Sequence, residues 1–166
     1  MTVEEARQFL LSRTPEEKKY YDIDADREIR TSEYLSGTWH DGELIGVGGV
    51  GHAYWFFHYS FNVVCQKAQG NGYGREQQKS SYNYARESGI PLFVQTIMKG
   101  NTASKRLQVT SGGKLIYETR DSYHFVKVFT GMGSVIAPFV PLLLAAYYSP
   151  FGELVRKFKT VSFLRM

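Results

Sequence analysis

The chain has 166 residues, and its 20 basic and 16 acidic side chains give a net charge of +4. This length predicts one domain with a sizeable hydrophobic core, and the 15% aromatic content provides large side chains to fill it. The single cysteine, Cys65, excludes an intrachain disulfide framework and a cysteine-based zinc site, and the sequence predicts no metal site.

Two helix-start signals open the chain. Thr2 and Glu5 have the spacing of a capping box, in which each side chain bonds the backbone N–H of the other residue. Thr14, followed by Pro15 and two acidic residues, predicts the start of a second helix. The charged segment 22–30 is predicted to be a loop. Because the opening of the chain is charged and amphipathic, we expect no signal peptide and a cytoplasmic location.

A β-hairpin is predicted next. Segments 33–39 and 43–50 have strand composition, and Asp41-Gly42 between them has the chemistry of a tight hairpin turn. Segment 46–51 contains four glycines and resembles a phosphate-binding loop. Strands on both sides leave it no helix N-terminus, so these glycines indicate a bulge or close packing instead.

The strongest strand signal is segment 54–64. Large apolar side chains occupy the odd positions, whereas the even positions from His58 onward are more polar. Period-two alternation predicts a core face and a wetter face. The core face comprises Trp55, Phe57, Tyr59, Phe61 and Val63, and the wetter face comprises His58, Ser60, Asn62 and Val64.

A glycine-rich turn follows this strand, and a helix is predicted over 74–88. The turn runs from Gln69 to Gly74 with glycine at three positions. Glycines allow close approach of a ligand, and free N–H groups at a helix start attract phosphate. The alternative is a tight turn that uses glycine for geometry alone. Residues 46–166 carry 14 basic and 5 acidic side chains, which suits a polyanionic ligand, although solubility alone would explain scattered charge.

The strand–turn–helix unit continues into a second strand over 91–98. A crossover helix between them predicts parallel strands. Asn101 is predicted to cap a short helix that ends before Gly112, and a second hairpin is predicted over 114–129.

The C-terminal part differs in composition. Segment 128–152 contains no charged residue, and four basic residues follow it: Arg156, Lys157, Lys159 and Arg165. Its length and flanking bases fit a membrane anchor. Because prolines and glycines interrupt the run, a segment packed on the sheet or on a partner protein is the alternative.

This element order, together with Gln69-x-x-Gly72-x-Gly74, resembles the GNAT superfamily of N-acetyltransferases. The acyl-CoA signature of that superfamily is Gln or Arg, two residues, Gly, one residue, then Gly or Ala. The resemblance covers 33–129. It implies an α+β, acyl-CoA N-acyltransferase fold with a mixed central sheet flanked by helices, acetyl-CoA as cofactor and an amine as acceptor.

The resemblance also implies cofactor-binding residues. The backbone of Val64 would bind the pantetheine arm, and the turn would hold the pyrophosphate. The full set is Val64, Gln69, Gly70, Asn71, Gly72, Tyr73, Gly74, Arg75, Asn101 and Ser104. For Asn101, a plain helix cap is the alternative.

Catalytic residues match the family less well. Some histone-acetyltransferase-like members carry a carboxylate base six residues before the position of Val64, where this chain has His58. Because histidine titrates near neutral pH, His58 is a candidate base. The alternative is that His58 only fills the wall of the cleft. The usual acid tyrosine is replaced by Gln108, which leaves Tyr117 as a candidate substitute acid.

A second, shorter resemblance concerns the small internal virion proteins of short-tailed phages, which share a GNAT-like layout. It involves Gly100-Asn101-Thr102 and Thr119-Arg120-Asp121. It implies a catalytically silent structural or interaction protein, located in the host cytoplasm or the virion, as the alternative to an N-acetyltransferase.

The GNAT resemblance divides the chain into N-terminal helices in 1–32, a GNAT-like core in 33–129 and an apolar, basic-ended extension in 130–166. A protein partner or a membrane is expected to contact the extension. No specific nucleic acid is predicted as a partner.

Overall fold

The computed structural model describes residues 1–18, 25–53, 57–150 and 152. Its helices are α1 (Val3–Leu11), α2 (Pro15–Lys18), α3 (Ala25–Thr31), α4 (Tyr73–Glu87), α5 (Thr102–Thr110), α6 (Gly131–Ile136) and α7 (Val140–Tyr148). Its strands are β1 (Ser32–His40), β2 (Glu43–Ala53), β3 (Phe57–Val64), β4 (Leu92–Met98), β5 (Lys114–Glu118) and β6 (Ser122–Val128). Short 3-10 turns lie at Gln66–Ala68 and Ala137–Phe139.

The six strands form one mixed sheet in the order β1-β2-β3-β4-β6-β5. Strands β3 and β4 are parallel, and the other neighbouring pairs are antiparallel. Both predicted hairpins and the predicted parallel pair are therefore confirmed, as is the α+β fold with helices on both sides of the sheet. The predicted residues Tyr54, Trp55 and Phe56 lie outside the described part of the chain.

Helix α4 covers one face of the sheet. Tyr82 and Ala85 of α4 pack with Val50 of β2 and Phe93 of β4. The glycines of β2 belong to close packing, as the sequence indicates. At Gly46, a Cβ atom would lie 2.6 Å from Nε2 of Gln77 on α4, so a larger residue there would displace the Gln77 side chain.

Two groups of helices cover the opposite face. Helix α1 contributes Phe9 and Leu10 to a cluster with Phe61 and Val63 of β3. The alternation predicted for this strand is thus confirmed where it is described, since Phe57, Phe61 and Val63 are buried. Over β4 and β6, a second cluster is closed by Val140 and Leu144 of α7, and it includes Phe57, Leu92, Val94 and Val126.

The prediction of a loop over segment 22–30 is wrong for residues 25–30, which belong to α3. The charged composition indicated solvent exposure, but Glu28 is 4% exposed. Its carboxylate accepts a hydrogen bond from the Tyr59 hydroxyl and pairs with Arg27 at 2.9 Å. A tertiary contact therefore satisfies a charge whose burial the local sequence does not indicate. Residues 22–24 lie outside the described ranges.

The apolar C-terminal run forms α6, a 3-10 turn and α7. Residues Gly131–Tyr148 form a helical stretch that is long and apolar enough to cross a membrane by length and composition alone. Its inner side chains pack on the sheet, as one of the two sequence interpretations expects. The outer side chains are exposed, among them Met132, Val135, Phe139 and Leu142.

Candidate functional site

The parallel strands β3 and β4 diverge beyond their first residues. Their ladder pairs His58 with Phe93, and within the described residues no later pair joins them toward Val64 and Met98. Just past this point, Nε2 of Gln95 donates a hydrogen bond to the Ser60 hydroxyl at 2.6 Å. A side-chain bridge thus replaces the backbone ladder, and we call the unpaired region between the two strands beyond it the opening, or gap.

The backbone of Val64 faces this opening. The N–H of the next residue, Cys65, donates to the Ile45 carbonyl of β2 at 2.9 Å. Because successive peptide groups of a strand point to opposite sides, those of Val64 point away from β2. Nε2 of Gln69 donates to the Val64 carbonyl at 3.2 Å. The first residue of the predicted signature therefore bonds directly to the end of β3.

The turn between β3 and α4 presents five consecutive backbone N–H groups. The N–H groups of Arg75 and Glu76 donate to the Gly72 carbonyl at 2.9 and 3.2 Å. For residues 70–74, no acceptor for the backbone N–H occurs in the described part of the chain. Such groups, at the positive end of a 15-residue helix, have the geometry that favours an anion.

The glycines keep this site accessible. Gly70 and Gly72 have φ angles of +86° and +89°, a left-handed conformation that disfavours other residues. A Cβ atom built at either position would meet nothing within 4 Å. These glycines therefore border open space, and the amides beside them are reachable by a bulky ligand.

Asn101 and Ser104 lie at the start of α5. The side-chain oxygen of Asn101 accepts a hydrogen bond from the Ser104 N–H at 3.0 Å. Asn101 is thus the helix cap that the sequence predicts.

His58 lies where β3 and β4 begin to separate. Nε2 of His58 is 3.3 Å from the Glu33 carboxylate, and Nδ1 of His52 is 3.0 Å from the other oxygen of that carboxylate. Burial, and then the neighbouring His52, lower the pKa of His58, whereas Glu33 raises it. The side chain of His58 is 19% exposed, and it also lines a recess of about 310 Å³ with apolar walls.

Comparison with known proteins identifies the family. The model of the acetyltransferase (GNAT) family matches residues 3–108. The chain belongs to the GNAT acetyltransferase family. No curated protein sequence matches the chain.

Solved structures share the GNAT fold. The protein yncA of Salmonella typhimurium, solved with its cofactor acetyl-CoA, is 19% identical with a TM-score of 0.55, over 65% of this chain and 75% of that one. A GNAT-family acetyltransferase of Streptococcus pneumoniae is 14% identical with a TM-score of 0.63, over 78% and 96%. The ribosomal-protein-S18-alanine N-acetyltransferase of Escherichia coli is 13% identical with a TM-score of 0.56, over 69% and 83%. At these identities the likeness shows the fold alone.

The structure separates Tyr117 from the opening of this GNAT fold. Tyr117 lies on β5, and both β6 and β4 stand between β5 and the gap. Its ring stacks on Tyr148 of α7 at 6.2 Å between centroids. This placement argues against Tyr117 as a substitute acid.

Gln108, which occupies the position of the usual GNAT acid, belongs to a buried polar network. Its Oε1 lies 3.3 Å from the Tyr82 hydroxyl, which also lies 3.3 Å from Oε1 of Gln95. Nε2 of Gln78 donates to the same hydroxyl at 2.9 Å. Through Gln95, the network reaches Ser60 at the inner end of the opening.

The sequence analysis missed this network and the partners of His58. Glutamine in a helix indicates an exposed side chain, whereas Gln78 and Gln108 are 1% and 3% exposed. His52 was missed because the predicted strand ends at residue 50, whereas β2 continues to Ala53 and pairs His52 with His58. Extending the predicted strand by two residues would have included His52, but its position beside His58 follows from the β2–β3 register, which was not predicted from the sequence.

Proposed function

We propose that this protein is an N-acetyltransferase that transfers the acetyl group of acetyl-CoA to an amine. Family membership supports this activity, and the acetyl-CoA bound to yncA agrees with the predicted cofactor. The observation that carries the proposal is the row of five backbone N–H groups at residues 70–74, which have no acceptor among the described residues and adjoin the gap between β3 and β4.

The residues of this region fit the cofactor. The N–H groups of the turn would hold the pyrophosphate, and the exposed Arg75 in the first turn of α4 adds positive charge. The Val64 backbone faces the gap and would bind the pantetheine arm, with Gln69 already bonded to its carbonyl. Asn101 and Ser104 would border the same arm from the start of α5, as the family resemblance implies.

We propose His58 as the general base. When bound, acetyl-CoA supplies a thioester whose carbonyl carbon accepts an amine nitrogen, with a C–N bond formed and the C–S bond broken. The attacking nitrogen must first lose a proton. The neutral imidazole of His58, which lies where β3 and β4 separate, is placed to accept that proton. Because burial favours the neutral form, His58 is available as a base at neutral pH.

The alternative is a GNAT-fold protein without catalytic activity. The buried Gln108 favours it, because this side chain cannot donate a proton to a leaving thiolate and is engaged with Tyr82. A role as a virion protein is one form of this alternative, and the relatives described above give it no support.

Contact of segment 130–166 with a protein partner or a membrane stays a prediction. The exposed apolar side chains of α6 and α7 mark where such a contact would lie, since Val135 and Leu142 are 66% and 69% exposed.

Titration calorimetry with acetyl-CoA tests the cofactor site. The variant Gly72→Glu places a carboxylate among the free amides, so it should abolish binding through charge repulsion. Gly89→Glu is the matched control, because Gly89 lies at the opposite end of α4 with a φ of +70° and equally open surroundings. Equal affinity of both variants for acetyl-CoA would show that the turn is not the site.

Turnover then separates the two functions. Release of free CoA thiol in the presence of a panel of amines supports the enzyme, and it should fall at least 10-fold in His58→Gln. Binding of acetyl-CoA without turnover on any amine would favour the silent protein. Turnover that is unchanged in His58→Gln would remove His58 as the base.

A further inference from the structure

Three potential metal ligands converge on adjacent strands. Glu33 of β1, His52 of β2 and His58 of β3 offer ligand atoms that all lie within 4.8 Å of one another. The carboxylate oxygens of Glu33 lie 3.0 Å from Nδ1 of His52 and 3.3 Å from Nε2 of His58. The imidazole rings lie 4.1 Å apart between centroids.

We propose that Glu33, His52 and His58 form a binding site for a divalent transition metal ion of the zinc type. Two imidazole nitrogens and one carboxylate oxygen are a donor set that zinc accepts with an open fourth position. With metal–ligand bonds of about 2.0–2.2 Å, neighbouring ligands of a tetrahedral ion lie roughly 3.3 Å apart. Each imidazole nitrogen lies at about this distance from one of the two Glu33 oxygens. One ligand atom from each of the three residues lies within 4.8 Å of the others, so side-chain rotations must shorten the remaining separations to admit an ion.

The sheet fixes the positions of the ligands. His52 and His58 are direct partners in the antiparallel β2–β3 ladder, and their side chains therefore share one face. Glu33 lies at the register shift between Ser32 and Tyr34 of β1, and the irregular register there turns its carboxylate to the two rings. Three strands of one sheet hold the set, which limits the reorganisation that metal binding requires.

Solvent can reach the site. The side chains of Glu33 and His52 are 38% and 51% exposed, whereas His58 is 19% exposed. A hydrated ion can therefore enter from the exposed side, exchange three waters for protein ligands and keep a water in the fourth position. Among the described residues, no lysine or arginine pairs with Glu33, so its carboxylate is committed to the two imidazoles.

Metal binding at this site has a consequence for the proposed activity. A metal on Nε2 of His58 uses the lone pair that a general base requires, so the bound ion should inhibit acetyl transfer. This consequence rests on the proposed function, whereas metal binding itself does not.

Zinc binding is tested on the full chain in the absence of acetyl-CoA and amine. Calorimetry with zinc chloride should show one ion per chain, and cobalt(II) should give the intense visible absorption of four-coordinate cobalt. We expect His52→Ala and Glu33→Gln each to weaken zinc binding at least 10-fold. His40→Ala is the matched control, because His40 is also an exposed strand histidine beside an acid, Asp41, at 3.6 Å; its zinc affinity should be unchanged.

Three results would overturn the site: no zinc binding to the wild-type chain, binding that survives both variants, or equal weakening in His40→Ala. Far-ultraviolet circular dichroism and thermal unfolding establish that each variant is folded before its affinity is compared. If the chain also turns over, zinc should inhibit the wild-type enzyme and leave His52→Ala active. If the chain binds zinc but shows no turnover, the metal site is supported, and only the proposed acetyltransferase activity is contradicted.

Discussion

His124 shows how burial acts on a single titratable residue. It is fully buried in β6, and its ring nitrogens lie 3.1 Å from the hydroxyls of Thr96 and Ser122. Burial lowers the pKa of His124 to about 4. The neutral imidazole is therefore part of the folded state at neutral pH, whereas the unfolded chain takes up a proton near pH 6.5.

We expect His124 to make the protein acid-sensitive. As the pH falls from 6.5 toward 4, the unfolded state binds a proton that the folded state does not, so the free energy of unfolding falls by up to about 1.4 kcal/mol per pH unit. His124→Gln cannot bind that proton. Urea unfolding at pH 7 and pH 4.5 should show a smaller loss of stability in the variant, and equal losses would contradict this assignment.

Tyr82 is the centre of the buried glutamine network. Burial raises the pKa of Tyr82, so its hydroxyl stays protonated and bonds three glutamine side chains. Tyr82→Phe removes the partner of buried amides and should cost about 1–3 kcal/mol of stability. Tyr84→Phe is the control, two residues further along α4, because the Tyr84 ring stacks on Tyr34 at 4.6 Å between centroids, and the Tyr84 hydroxyl bonds no group in the described part of the chain. Denaturant unfolding of both variants measures the difference, and an equal change would count against the network.

At the scale of elements, α7 has two unlike sides. Val140 and Leu144 are 0% and 1% exposed and close the cluster over β4 and β6, whereas Leu142 is 69% exposed. Apolar side chains of α7 therefore pack in the core on one side of the helix and are exposed to solvent on the other. Composition suggested a membrane segment, but the side of this helix that carries Val140 and Leu144 packs on the sheet.

Two leucines of α7 test this division. Leu144→Ala leaves a cavity beneath the helix and should lower the free energy of unfolding by about 2–5 kcal/mol. Leu142→Ala removes an exposed side chain and should change it by less than about 0.5 kcal/mol. Guanidinium unfolding of the two variants gives the comparison. Similar losses would mean that both sides of α7 are covered in solution, as an oligomer interface would require.

At the scale of the whole molecule, the end of β3, the start of α4 and α5 lie together, since Gln69 bonds the Val64 carbonyl and a Cβ atom at Gly74 would lie 3.8 Å from Leu107 of α5. A ligand bound there touches elements that are distant in sequence, so its binding should stabilise the fold as a unit. Acetyl-CoA at 100 times its dissociation constant should add about 2.7 kcal/mol and raise the melting temperature. Thermal unfolding of the wild-type chain and of Gly72→Glu tests this: a shift of equal size in both would place the ligand elsewhere.

Much of the fold was predictable because its signals are local. The Thr2–Glu5 capping box, the Asp41-Gly42 turn and the Asn101 cap each depend on residues within a few positions of one another, and all three occur as predicted. The glycine-rich turn and the helix start were predictable for the same reason, since they are adjacent in the chain. The helix at 25–31 was not predictable in this way, because Glu28 is buried through its hydrogen bond with Tyr59, which is distant in the sequence.

By itself, the sequence determined the order of the strands and helices through β6, apart from α3, the alternation along β3 and the glycine turn before α4. Only the tertiary structure decided that β3 and β4 separate after His58, that Glu33 and His52 join that histidine, and that Gln108 is buried beneath Tyr82. The physical reason is the range of the interactions. Backbone conformation and capping depend on near neighbours, whereas lateral strand pairing and side-chain burial depend on segments that meet only when the chain folds.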